Sequence, residues 1–178
     1  PYLTMSPQYE AEIIGALAEM VREGYIYRGK KPVYWCASCR TALAEAEVEY
    51  ADHRSPSVYV KFPVKGRAGE FAVIWTTTPW TLPANLAIAV KPDFQYARVR
   101  AGTETWWVAE ALIEPVGRAC GVELAVLEKL PGAKLEGLLT RHPFIERDSP
   151  VILSPYVTLE QGTGLVHTAP GHGAEDYE

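Results

Sequence analysis

The chain has 178 residues, of which 48% are hydrophobic, 22% charged and 11% aromatic. That is enough apolar material for one real core and too much for a disordered chain. A net charge of −5 argues against a standalone nucleic-acid binder, which needs a basic surface. No apolar run reaches the roughly 18–20 residues of a membrane helix, and the first residues carry no signal-peptide pattern.

The chain opens at Pro1 without a Met and stops at Glu178 behind a Gly- and His-rich run, so it reads as a piece excised from a larger protein. Ser6-Pro7 is a helix start, with Ser as N-cap and Pro in the first turn. Tyr9, Ile13, Leu17, Met20 and Val21 follow at helical spacing, and Gly24 is a stop, which predicts an amphipathic helix over 7–23. Tyr25-Ile26-Tyr27 and Val33-Tyr34-Trp35 read as short strands around a basic turn. That turn, with Arg28, Lys30 and Lys31, is either a local nucleic-acid patch or a solvated loop.

From Val58 the texture changes to short strands separated by turn residues. The candidates are 58–62, 71–76, 86–90, 95–100, 105–109, 122–127, 151–153 and 164–168, with one helix over 110–119 that Pro115 weakens. Many short strands and few helices predict a mainly β fold with flanking helices, a closed or nearly closed β-barrel. Residues 1–50 read as a connective segment and 51–178 as the barrel.

Three stretches carry chemistry. The first is WTTTPWT, Trp75–Thr81, at the end of an apolar strand. Alternation sends Thr76 and Thr78 to one face and Thr77 to the other. Pro79 keeps Thr78 out of helical geometry and leaves a strand end with projecting hydroxyls. Hydroxyls both donate and accept, so they suit a sugar, an ester or a water. Threonine also simply favours strands.

The second stretch, GTGLVHTAPGHGAEDYE, sets His167, His172, Glu175 and Asp176 among glycines. It reads as a site loop, as a metal loop of two imidazoles and a carboxylate, or as ordinary surface. The third is Cys36-Ala37-Ser38-Cys39. It is half of a tetrahedral zinc site, a redox pair, or two free thiols. Cys120 lies far along the chain. Three cysteines fit a reducing compartment, the cytoplasm, better than a secreted disulfide scaffold.

Together these stretches resemble one family. WTTTPWTLPANLAIAV, at 75–90, is similar to the threonine-rich strand of the editing domain inserted in class I aminoacyl-tRNA synthetases. GTGLVHTAPGHGAEDY, at 162–177, resembles the second signature of that domain. KPVYWCASCRTALAEAEVEY, at 31–50, resembles the connective segment leading into it. The valyl and leucyl members typically carry Arg at the place of Thr78. They also have an aspartate-rich loop where this chain has Ala169-Pro170-Gly171-His172-Gly173, so the resemblance points to the isoleucyl type.

The resemblance implies hydrolysis of valine mischarged onto tRNA(Ile), in a pocket that admits valine and excludes isoleucine. Asp176 would hold the substrate ammonium. Thr76, Thr77 and Thr78 would position the ester and its water. His167 would limit pocket size or orient water. Trp75, Trp80, Gly162, Thr163, Gly164 and His172 would line the terminal adenosine. The implied partners are valine, the valylated 3′ end of tRNA(Ile) and the remainder of a parent synthetase, with no membrane. No cofactor is implied for the hydrolysis. Cys36 and Cys39 would be half of a zinc site completed in the parent. The alternatives are a module that binds the tRNA end without chemistry, and a zinc hydrolase built on His167, His172 and Asp176.

Overall fold

The computed structural model describes residues 2–177. Its contacts divide the chain into two compact units, one up to Lys31 and one from Pro32 on.

In the first unit, α1 (Pro7–Arg22) begins where the sequence predicts, with Ser6 Oγ accepting from the Tyr9 amide at 3.3 Å. Gly24 closes it at φ +80°, and the Tyr25 amide returns to the Met20 carbonyl at 3.0 Å. That bond consumes Tyr25 in the helix cap. The expected strand over 25–27 does not form.

The second unit starts with a small hairpin, β1 (Tyr34–Cys36) and β2 (Thr41–Leu43). A five-stranded sheet follows, from β3 (Val58–Pro63), β4 (Glu70–Thr76), β6 (Gln95–Ala101), β7 (Glu104–Ala109) and β8 (Leu124–Pro131), in the order β3-β4-β7-β6-β8. A four-stranded sheet runs β11-β5-β10-β9, from β5 (Ala87–Val90), β9 (Leu139–Arg141), β10 (Asp148–Leu153) and β11 (Val166–Thr168). Phe62, Ile74, Val99 and Trp107 from the larger sheet share one buried cluster with Ile88, Val151 and Leu165 from the smaller sheet and its approach.

The sheets are not closed into a barrel, contrary to the expectation from strand texture. The smaller sheet ends at β11 and β9, the larger at β3 and β8. Among the described residues, an isolated bridge, Val64 to Thr140, is all that spans the β3 and β9 edges. β3 runs out at Pro63, which has no amide to extend a ladder, and β9 is three residues long. At the far edge β8 pairs with β6 and carries mostly exposed side chains. Two pairs, β4 with β7 and β5 with β10, are parallel, so the architecture is mixed α/β with several sheets.

Other boundaries shift for local reasons. The predicted helix is a 3-10 turn, Glu110–Leu112, running into α2 (Ile113–Cys120). Pro115 falls in the first turn, where its missing amide costs no helical bond. Val122 is taken up in the cap of α2, donating to the Gly117 carbonyl at 3.0 Å, so β8 begins at Leu124. β4 and β5 are buried over almost their whole length, as their apolar runs predict. No helix among the described residues is long and apolar enough to cross a membrane.

Candidate active site

β4 ends at Thr76, and Thr78 opens a 3-10 turn, Pro79–Ala84, that leads into β5. β11 lies against β4 and brings His167 alongside. α3 (Ala174–Tyr177) then supplies Asp176. Between them is a cavity of about 190 Å³, lined by Trp75, Thr76, Thr78, Thr81, Val166, His167, Ala169, His172 and Asp176.

The threonines divide by face. Thr76 is buried, and its Oγ1 accepts from the Thr78 amide at 3.1 Å and lies 3.3 Å from Thr78 Oγ1. This local bond turns the chain out of the strand. Thr77 is exposed, does not line the cavity, and offers its carbonyl to Ser55 Oγ at 2.6 Å. Thr81, for which sequence alone suggested no role, is buried and donates through Oγ1 to the Thr78 carbonyl at 2.8 Å.

His167 is buried, with both ring nitrogens engaged: Nδ1 by Asn85 Nδ2 at 3.2 Å and Nε2 by Thr81 Oγ1 at 2.8 Å. The orientation of the Asn85 amide follows from its partners. Nδ2 also donates to the Ala87 carbonyl at 2.8 Å, and Oδ1 accepts from Ser149 Oγ at 2.7 Å. An amide nitrogen has only donors, so Nδ1 is the acceptor and Nε2 carries the proton. Nε2–H therefore donates to Thr81, whose own hydroxyl hydrogen goes to Thr78. Burial pushes the imidazole pKa below its ordinary 6.5, with the Asp176 charge opposing and those of His142 and His172 reinforcing. The ring is held at both nitrogens and has no free lone pair.

Asp176 accepts from the buried Ala169 amide through Oδ2 at 2.7 Å and borders the cavity. That bond fixes a negative group 7 residues downstream against the glycine loop. His172 is exposed on the cavity edge, held by its amide to the Ala169 carbonyl at 2.8 Å.

The remaining predicted residues scatter. Trp75 lines the cavity, whereas Trp80 is 61% exposed and does not. A Cβ on Gly162 would meet Trp75 at 3.1 Å, and Gly162 has φ +83°, so this glycine lets the loop lie on the indole. A Cβ on Gly164 would sit 2.4 Å from Ala109 Cβ, so that glycine serves close packing. Thr163 is fully enclosed, with Oγ1 bonded to the Leu165 amide and carbonyl at 3.3 and 3.2 Å. It is a turn residue of the loop and does not reach the cavity.

Cys36 and Cys39 sit at the tip of the β1–β2 hairpin, where the Cys39 amide donates to Cys36 Sγ at 3.3 Å. That N–H, with the Cys39 thiol and the Ser38 N–H, lowers the Cys36 pKa. Two adjacent thiols with an inward-facing amide suit one half of a tetrahedral thiolate set. Among the described residues no group of three His, Cys, Asp or Glu side chains converges as a metal site requires, around the hairpin or around His167.

Sequence reasoning missed Thr81, Asn85, Ser149, His142 and Arg147 as parts of this region. Thr81 and Asn85 lie in WTTTPWTLPAN, where two prolines four residues apart signal a turn. An Asn directly before a buried apolar strand must find partners for its amide. His142 and Arg147 lie in the loop between β9 and β10 and Ser149 on β10, which the sequence did not tie to the site.

Comparison with known proteins identifies the family. Residues 1–120 match the family model of class I tRNA synthetases (I, L, M and V). The isoleucine--tRNA ligase of Fervidobacterium nodosum is 54% identical over 178 residues, 100% of this chain and 20% of that protein. That of Carboxydothermus hydrogenoformans is 57% identical over 183 residues, again 100% of this chain and 20% of the relative. The chain thus spans about a fifth of the length of the curated relatives it matches. Among solved structures, the editing domain of the P. knowlesi cytosolic leucyl-tRNA synthetase superposes with TM-score 0.60 at 16% identity, covering 68% of this chain and 59% of its own. The P. falciparum counterpart gives 0.56 at 15% identity, over 61% and 43%. The chain belongs to the class I tRNA synthetase family, as the segment that folds like its editing domain, with the sequence of the isoleucyl type.

Proposed function

We propose that this chain is the hydrolytic editing site of an isoleucyl-tRNA synthetase, which deacylates valyl-tRNA(Ile) and excludes isoleucine. The carrying observation is a cavity of about 190 Å³ lined together by Asp176, by Thr76 and Thr78, and by His167, whose ring is tied at both nitrogens.

Each part answers a need of ester hydrolysis. An aminoacyl ester carries an ammonium group, and a half-buried carboxylate holds it with a charge-assisted hydrogen bond. Water attacking the carbonyl needs a partner, and the developing oxyanion needs donors. Thr76 and Thr78 offer hydroxyls at that place. No side chain here is paired as an activated nucleophile, so water is the attacking group and no covalent intermediate forms.

Discrimination rests on His167. A missing methylene is worth only about 1–3 kcal/mol to a synthetic pocket, a magnitude for which isoleucyl-tRNA synthetase is itself the standard example. A second pocket that is too small for isoleucine removes the error. A ring tied at both nitrogens does not swing aside for one more carbon, which supports the size role over a water-orienting one.

The test is incubation of the chain with valyl-tRNA(Ile) and, separately, isoleucyl-tRNA(Ile). Release of valine but not isoleucine is the expected result. Binding of both without release would favour a module that only holds the tRNA end.

A further inference from the structure

The Pro79–Ala84 turn has a second set of partners that the hydrolysis itself does not use. The turn closes on a bond from the Asn85 amide to the Leu82 carbonyl at 2.9 Å, which leaves acceptor capacity on its last carbonyls. The loop between β9 and β10 satisfies them. His142 Nε2 lies 2.8 Å from the Leu82 carbonyl. The Arg147 guanidinium forks across two more, donating through Nη1 to the Asn85 carbonyl and through Nη2 to the Pro83 carbonyl, each at 2.8 Å.

The loop is itself closed. The Phe144 and Ile145 amides donate to His142 Nδ1 at 3.3 and 3.1 Å, which leaves Nε2 as the protonated donor. The His142 amide bonds to the Arg147 carbonyl at 2.9 Å. A cation also suits the carbonyl end of a helical turn, and only a guanidinium spans two carbonyls as a rigid fork.

We propose that His142 and Arg147 are positioning residues for the site. They fix the turn that carries Thr81, and through Thr81 they hold both the His167 ring and the Thr78 carbonyl at the cavity wall. This rests on the hydrolytic reading for its kinetic consequence but not for its structural one.

The experiment uses this chain and the variants Arg147→Ala and Arg147→Lys. The first readout is exchange of the His167 Nε2 proton, followed by NMR. Loss of charged hydrogen bonds should speed it by about tenfold or more in Arg147→Ala. Lysine, which holds one carbonyl at a time, should fall between. The second readout is hydrolysis of valyl- and isoleucyl-tRNA(Ile). A misplaced wall should lower kcat for the valyl substrate roughly tenfold to a hundredfold with KM little changed, and should narrow the discrimination between the two. Arg147→Lys keeps the charge and the stem, so the comparison stands even where the alanine variant does not fold. Unchanged proton exchange in the folded variants would overturn the clamp, as would a lower Tm with unchanged kcat and discrimination. If the unsubstituted chain does not hydrolyse valyl-tRNA(Ile), the hydrolytic reading fails, and proton exchange alone decides the clamp.

Discussion

Asn85 Nδ2 meets His167 Nδ1 at 3.2 Å while Ser149 and Ala87 hold the amide from its other sides. A side chain on the turn and a hydroxyl on β10 thus set the tautomer of a ring on β11. Protonation of Nδ1 would place an N–H against an N–H. Rotation of the amide to avoid this would set its oxygen against the Ala87 carbonyl.

Asn85→Asp tests this relation. A carboxylate oxygen facing Nδ1 is an acceptor, so Nδ1 should take up a proton and the His167 pKa should rise. The Ala87 carbonyl loses its donor, at a cost of about 1–3 kcal/mol. Imidazole nitrogen shifts followed through a pH titration would show both effects. An unchanged tautomer would remove the argument.

Stability should depend on pH through the same ring. Its pKa in the folded chain lies below the ordinary 6.5 because it is buried. The unfolded chain therefore takes up this proton at a higher pH than the folded one. The stabilisation is whole above 6.5 and is lost as pH falls from 6.5 through the folded value. Melting temperatures between about pH 8 and about pH 5 should fall less steeply for His167→Gln than for the unsubstituted chain. Equal slopes would mean that the titration lies in other groups.

The observed Ala169 bond of Asp176 and its proposed hold on the substrate ammonium can be separated by substitution. Asp176→Asn keeps an oxygen for the Ala169 amide but removes the charge, so folding should survive while hydrolysis of valyl-tRNA(Ile) is lost. Asp176→Ala also orphans the buried Ala169 amide, which adds about 1–3 kcal/mol of destabilisation. Normal deacylation by Asp176→Asn would show that the ammonium is held elsewhere.

Much of this was legible because it is local. The Ser6 cap and the apolar β4 and β5 follow from spacing within a few residues, whereas the roles expected of the threonines and of the His and Asp in the last loop came from the resemblance and not from spacing. Closure was not legible. A strand's alternation is the same in a barrel and in an open sheet, and what stops the ladder at β3 is a single proline meeting a three-residue β9. The clamp was hidden for a related reason. Arg147 reaches Pro83 and Asn85 across more than sixty positions, and no periodicity links residues that far apart.

The threonines give the last prediction. Alternation put Thr77 on the opposite face from Thr76 and Thr78, and its side chain is absent from the cavity wall. Thr77→Ala should therefore change hydrolysis of valyl-tRNA(Ile) little. Thr76→Ala removes both a cavity hydroxyl and the acceptor that bends the chain at the Thr78 amide, so it should slow hydrolysis and loosen the turn. Thr78→Ala removes a hydroxyl but keeps the carbonyl that Thr81 holds, so its effect should be purely on rate. A donor that dominates an oxyanion or water contact is worth about 2.7–4 kcal/mol. Two hydroxyls 3.3 Å apart share such a contact, so each single loss should cost less than that and the double loss more than the sum of the singles. Single-turnover rates for the three single variants and the Thr76→Ala, Thr78→Ala double variant would decide, with thermal unfolding alongside. A double variant that folds and hydrolyses at the normal rate would leave these threonines as strand formers, with the chemistry carried by backbone alone.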